Sequence, residues 1–149
     1  MNDAKFHLMV NHLPIIGGMI AVSILIGGYI FKSAHTKRVS LFVLIFSGIT
    51  AVLANISGEG AERMVEDIEG VSHRVIHHHE EWAEKFFIFS IVIGVLSCVT
   101  LFLDLKNKKY FKFFYIAILV LMLVNVFLGF KTGTSGGEVR HTEIVEAKP

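Results

Sequence analysis

Residues 86–103 read FFIFSIVIGVLSCVTLFL, a run of 18 residues without a charged side chain. A helix needs roughly 20 apolar residues to cross the hydrocarbon core of a bilayer, and the run lacks the alternation of polar and apolar positions that marks a barrel strand. Backbone amides in lipid must form their hydrogen bonds within the segment. The stretch therefore predicts a membrane-spanning helix.

Three further charge-free runs of similar length predict three more spans. The four predicted spans are residues 13–31, 39–56, 86–103 and 113–130. The composition agrees, since 53% of the 149 residues are hydrophobic and the mean hydropathy is +0.61, whereas soluble domains usually stay below about half apolar. We expect a single all-α domain, residues 1–149, folded as an integral membrane up-down-up-down four-helix bundle with helical extensions on its outer face.

Positive charge is concentrated in two short connections, residues 32–38 and 104–112. They hold seven basic residues in sixteen positions and one acid, whereas the other side holds seven basic residues among twelve acids. Because short loops rich in Lys and Arg stay in the cytoplasm, we expect both termini to face the periplasm from a cell inner membrane. The net charge of +1, without a basic tract, gives no indication of nucleic acid binding.

The outer side carries most of the polar chemistry, with seven of the eight histidines and twelve of the thirteen carboxylates. His12 stands at the start of the first span, where Asn11 is expected to cap the helix and Pro14 is tolerated in its first turn. Its position favours a ligand role, and the simpler alternative is an interfacial histidine with an ordinary hydrogen bond. His7 is a weaker candidate because it lies further from the span.

A second group of histidines, His77, His78 and His79, precedes the third span. Helical spacing places His78 and His79 on one stripe with the apolar side chains, whereas His77 falls on the opposite face. A histidine on an apolar face needs a partner, so we expect His78 to be the first candidate ligand and His79 the second. The alternative is that the whole run is a solvated polar cap. The apolar members of the stripe are Val71, Val75, Trp82 and Phe86.

The glutamates after the second span permit two interpretations. Glu59 and Glu62 follow Asn55 at spacings of four and three, so the three residues share one helical face. If Asn55 points into the bundle, both glutamates point toward the histidines. If the apolar residues Ala61 and Met64 mark the buried side instead, the glutamates are solvated.

The tail supplies a further pair, Glu138 and His141, whose spacing of three resembles that of di-iron carboxylate bundles. Residues 132–137 are rich in Thr and Gly and predict a flexible reversal that folds this pair back over the bundle end. Glu81 lies at the edge of both faces of its helix. The predicted metal ligands are therefore His12, Glu59, Glu62, His77, His78, Glu81, Glu138 and His141.

Nitrogen and carboxylate ligands together suit a transition metal such as iron, copper or zinc. A b-type haem is the rival cofactor, because it needs only one axial histidine from each of two helices, such as His12 with His78 or His79. The only cysteine is Cys98, so a paired-thiolate site and covalent c-type haem attachment are both excluded within one chain.

Two short motifs resemble a known group of proteins. The His-Leu-Pro sequence at residues 12–14 and the Gly-Glu-x-Ala-Glu sequence at residues 58–62 are similar to those of an uncharacterised family of small four-span prokaryotic membrane proteins. The resemblance implies a prokaryotic membrane and no particular activity.

These patterns predict a membrane protein that holds a metal centre or haem at its periplasmic face for electron transfer or related redox chemistry. Such a protein would meet a redox partner or a larger membrane complex. Two alternatives remain open from the residues, a structural subunit of a larger membrane complex and a component of metal-ion uptake. The sequence leaves open whether the protein is an enzyme.

Overall fold

The computed structural model describes residues 3–65 and 72–140, and these residues form helices and short connections without a β-strand. The helices are α1 (Asp3–Val10), α2 (His12–Ile30), α3 (Ala34–Val65), α4 (His73–Leu105) and α5 (Phe111–Arg140). Within these ranges, four helical stretches are long and apolar enough to cross a membrane. The all-α class is confirmed, and the chain has the character of a multi-pass membrane protein.

The helices are longer than the predicted spans. α4 has 33 residues, which correspond to about 50 Å of helix, whereas the hydrocarbon core of a bilayer is about 30 Å thick. α3 likewise continues past the predicted end of its span at residue 56 to Val65, through Gly58 and Gly60. The polar ends of these helices therefore extend well beyond a hydrocarbon layer.

The predicted reversal at residues 132–137 is wrong, because α5 continues through this stretch to Arg140. The hydroxyl groups that suggested a turn instead bond back to the helix: Thr132 donates to the carbonyl of Leu128 at 2.9 Å, and Thr134 donates to the carbonyl of Phe130 at 3.0 Å. Side chains that would compete with the helix in a loop are thus satisfied within it.

The predicted cap at Asn11 is also wrong. Asn11 adopts a helical conformation and forms no side-chain cap hydrogen bond, while its backbone N–H donates to the carbonyl of His7 at 2.9 Å. The helical path therefore runs from α1 into α2, and His12 does not lie at a free helix N-terminus.

The two short connections use the same turn. Lys32, with φ of 52°, follows the end of α2, and the backbone N–H of Ser33 donates to the carbonyl of Gly28 at 3.0 Å. Asn107, with φ of 50°, follows α4 in the same way, and the backbone N–H of Lys108 donates to the carbonyl of Leu103 at 2.9 Å. This left-handed residue and bond pattern define the Schellman motif, which satisfies the last carbonyls of each helix.

The long helices share one buried core. α3 packs against α2 and α4, α5 packs against α4 and α2, and α1 packs against α3. α3 and α4 approach closely where Gly48 faces Gly94, since a Cβ on Gly48 would lie 3.4 Å from the Gly94 Cα. The other faces carry large exposed apolar side chains, as expected for contact with lipid. The core cluster is Ala21, Leu25, Leu41, Leu44, Ile93, Tyr115, Ile118 and Met122.

Candidate metal centre at the histidine end

One end of the molecule, here called the histidine end, is formed by α1, the last turns of α3, the first turns of α4 and the last turns of α5. The half-buried ring of His7 on α1 places Nδ1 3.0 Å from the carbonyl oxygen of Ala54 and 3.1 Å from Oγ of Ser57. A carbonyl oxygen only accepts, so the ring must donate from Nδ1. A neutral His7 therefore keeps its free lone pair on Nε2.

His79 on α4 is held by α5 in a similar way. Its half-buried ring has Nδ1 3.0 Å from Oγ of Ser135. The Ser135 hydroxyl donates to the carbonyl of Thr132 at 3.1 Å and so accepts the proton of Nδ1. The His79 ring fits against α5 because residue 136 is a glycine: a Cβ at this position would lie 3.1 Å from Cε1 of His79. A neutral His79 therefore also keeps its lone pair on Nε2.

The two rings come from different helices, and both lie at the histidine end. Each is fixed at Nδ1 by a neighbouring helix, His7 by α3 and His79 by α5. Metal-binding histidines show this arrangement, in which a hydrogen bond at one ring nitrogen orients the other nitrogen toward the metal. The pair is thus suited to supply two imidazole ligands.

The two candidate ligands of α4 that are expected on its apolar face differ in exposure. His78, the first candidate, is exposed, and its Nε2 accepts a hydrogen bond of 3.2 Å from Nε1 of Trp82 on the same helix. The buried face of α4 follows Ile76 and Phe86, and His79 lies on that face. The apolar pattern of α4 therefore predicts a buried face that differs in direction from the face that contacts the other helices.

His77 is exposed and pairs with carboxylates on its own helix. Its Nδ1 lies 3.5 Å from Oε2 of Glu80 and its Nε2 lies 3.6 Å from Oε1 of Glu81, which is also exposed. Such surface pairs at helical spacing contribute little to stability. For His77 and Glu81 the solvated alternative fits the structure.

His12 is exposed, unlike the half-buried His7 and His79. It stands at the rim of an apolar surface groove of about 310 Å³ between α2 and α5. His12 and His78, one of the pairs expected to hold haem, are therefore both exposed. The groove is lined by His12, Ile15, Met19, Val126, Gly129, Phe130, Gly133 and Thr134.

The glutamates divide between the two interpretations. Glu59 is exposed, which fits the solvated alternative, whereas Glu62 is half-buried with its carboxyl group against that of Glu80 on α4. Glu138 is half-buried near the end of α5. His141 lies outside the described residues. Within residues 3–65 and 72–140, no group of three or more His, Cys, Asp or Glu side chains is placed to hold a metal ion.

A second polar cluster lies at the opposite end of the helices, and the sequence analysis missed it. Asp104 of α4 is only 4% exposed, and its carboxylate accepts bonds from Arg38 Nε at 2.8 Å and from the Tyr115 hydroxyl at 3.0 Å. The Lys37 ammonium lies 5.6 Å from the centre of the Tyr115 ring. This ion pair joins α3, α4 and α5.

A sequence signal for the second cluster does exist. Asp104 continues the spacing of Ser90, Ser97 and Thr100, which places all four on one face of α4. All four are buried, so this face carries polar groups through the apolar span.

Comparison of the chain with protein-family models, curated proteins and solved structures finds no match to any of the three.

Proposed function

We propose that this protein spans a cell inner membrane as an up-down-up-down four-helix bundle and holds a transition-metal centre at its histidine end, facing the periplasm, for electron transfer. The four apolar helices support the membrane setting. The density of Lys and Arg in the two short connections at the other end supports the orientation. Contacts of α2 and α4 with both α3 and α5 support the bundle.

The main support for the metal proposal is that two imidazole rings are each held at Nδ1 by a hydrogen bond to a neighbouring helix. His7 and His79 are half-buried, come from separate helices and each direct their only proton-bearing nitrogen to a neighbouring helix. Both rings use Nδ1 for that bond and lie at the histidine end, so each leaves Nε2 as the nitrogen with a lone pair. Neutral imidazole with a free nitrogen is the form that binds metals.

A b-type haem suits this pair better than a bare ion of iron, copper or zinc. A bare ion needs three or four protein ligands, and the described residues bring no group of three together. Haem supplies four nitrogens of its own and needs only two axial ligands. A site for a bare ion would need further ligands, such as Glu138 and His141 near the end of the chain. The ligand roles of these two residues stay predictions.

Electron transfer is the activity that two axial imidazoles favour. A haem held by His7 and His79 would supply one-electron transfer and would leave no place for a substrate or oxygen to bind. A centre close to the membrane surface is also within reach of a redox partner outside the bilayer.

The test is the absorption spectrum and elemental analysis of the purified protein and three variants. We expect a Soret band that shifts on reduction, and we expect His7→Ala and His79→Ala each to lose it. The control is His78→Ala, which removes an exposed ring next to His79 and should keep the spectrum. Wild-type protein without a Soret band or stoichiometric metal would contradict the proposal and leave the structural-subunit alternative.

A further inference from the structure

The end of the molecule opposite to the histidine end carries a strongly positive surface. The first turns of α3 and the last turn of α4 meet there, since Nε of Arg38 lies 2.8 Å from the Asp104 carboxylate. This contact brings the two lysine-rich connections, residues 32–38 and 104–112, to the same end of the helices. Five lysines of these connections are exposed and are here called the lysine surface. They are Lys32, Lys106, Lys108, Lys109 and Lys112.

The lysine surface has no counterion in the part of the chain that the structure describes. Asp104 is the only acid in the two connections, and it is buried, with its carboxylate bonded to Arg38 and to the Tyr115 hydroxyl. Over residues 3–65 and 72–140, none of the five lysines forms an ion pair. Five positive charges therefore lie exposed at one end of the helices without a carboxylate to balance them.

Helix stability does not explain the lysines at the start of α5. The N-terminus of a helix is the positive end of its dipole and favours acidic side chains in the first turn. α5 begins at Phe111 and has no acid in its first turn, which contains Lys112 and follows the lysine pair at residues 108–109. Lys32 and Lys106 follow the ends of α2 and α4, where a cation is favourable. The lysines at the start of α5 are therefore the ones that an external anion would stabilise most.

The neighbours of the lysines place this surface at the height of lipid headgroups. Lys32 directly follows the apolar run 13–31, and Lys112 directly precedes the apolar run 113–130. Exposed aromatic side chains stand beside the lysines, as is typical of the boundary between hydrocarbon and headgroups. A lysine in such a position extends its ammonium group from the apolar region into the headgroup layer. The exposed aromatic residues are Phe31, Tyr110 and Phe113.

We propose that the lysine surface binds the headgroups of anionic phospholipids in the leaflet at this end of the protein. The headgroup phosphate supplies the missing negative charge at the right height. A soluble acidic partner would bind lysines that extend into water, whereas Lys32 and Lys112 adjoin the apolar spans. Each lysine near an anionic membrane surface strengthens binding by about fivefold. The proposal depends on the membrane setting alone and is independent of the metal centre and of the orientation of the protein in the membrane.

The test counts the lipids that stay bound after the protein is extracted from vesicles of equal parts phosphatidylglycerol, which is anionic, and phosphatidylcholine, which is neutral overall. Native mass spectrometry in a mild detergent gives the ratio of the two lipids on the protein. We expect the wild type to retain about tenfold more phosphatidylglycerol. The variant that combines Lys108→Gln, Lys109→Gln and Lys112→Gln should lower this ratio by about fivefold or more. Arginine at the same three positions should keep the ratio, because it keeps the charge.

The matched control combines Arg63→Gln, Arg74→Gln and Lys85→Gln, which removes three exposed positive charges from the histidine end. It should keep the wild-type ratio, and circular dichroism checks that the helices of each variant are intact. Equal retention of the two lipids by the wild type would overturn the proposal. An equal fall of the ratio in both glutamine variants would also overturn it, because binding would then follow the net charge of the protein and not the lysine surface.

Discussion

Replacing Tyr115 with Phe removes one hydrogen bond from the buried Asp104 cluster and little else. The Tyr115 side chain is 1% exposed and belongs to the core, where its ring packs edge-on to Phe111 at 6.4 Å between centroids. Phe keeps the ring and loses only the hydroxyl, which donates to Asp104 Oδ2 at 3.0 Å. The packing of the core should therefore be unchanged.

The expected loss follows from the charge of the acceptor. A hydrogen bond to a charged group contributes about 1.5–3 kcal/mol, and Asp104 still accepts from Arg38 after the change. We therefore expect Tyr115→Phe to lower the free energy of unfolding by about 1.5–2 kcal/mol, at the lower end of that range. The loss should shrink in an Asp104→Asn background, because the acceptor there is neutral.

The assay is unfolding in mixed detergent micelles, followed by circular dichroism and by the fluorescence of Trp82, the single tryptophan. The matched control is Tyr110→Phe, the same chemical change at a side chain that is 65% exposed, and it should leave stability within about 0.5 kcal/mol of the wild type. Equal losses in Tyr115→Phe and Tyr110→Phe, or no loss in either, would refute the reasoning.

Three further predictions concern the backbone. Gly28→Ala should lower the free energy of unfolding by about 1–3 kcal/mol, because the new Cβ would lie 3.0 Å from a backbone nitrogen at the start of α3. The control is Gly27→Ala, whose Cβ would meet no atom within 4 Å and which should not destabilise the protein in the same assay. Lys32→Gly should raise the free energy of unfolding by about 1 kcal/mol, since glycine adopts a positive φ without steric cost; an unchanged or lower value would contradict this. Gly136→Ala should lower the metal or haem content of the purified protein, because the new Cβ would crowd the ring of His79. The control is Gly137→Ala, where a Cβ would meet no atom within 4 Å. Equal metal or haem content in the two variants would contradict the site.

The number and place of the long helices could be predicted from the sequence, because length and the lack of charge are enough to define a span. The run 86–103 lies wholly inside α4, and the run 39–56 lies wholly inside α3. The helix ends could not be predicted in the same way. Residues 132–137 have the composition of a loop in water, but their hydroxyls bond to the helix and their glycines admit the neighbouring helix.

The histidine pair was only partly predictable. Helical spacing predicts that His79 lies on the apolar face of α4, but it also places the exposed His78 there, because the apolar pattern does not give the exact direction of the buried face. The sequence favours His7 less because it lies further from the span, and its contact in the fold is with Ala54, 47 residues away. The Asp104 cluster depends on Arg38, 66 residues away. Contacts of that range are set by tertiary packing, which a single sequence does not display.

If the Nε2 atoms of His7 and His79 bind one metal, that metal should couple magnetically to nitrogens of both rings. The most direct measurement is pulsed electron paramagnetic resonance of the oxidised protein prepared with isotope-labelled histidine, which detects histidine nitrogens bonded to a paramagnetic metal. We expect two coupled imidazole nitrogens in the wild type and in His78→Ala, and fewer than two in His79→Ala. A metal signal without coupling to labelled histidine, or identical coupling in all three proteins, would contradict it.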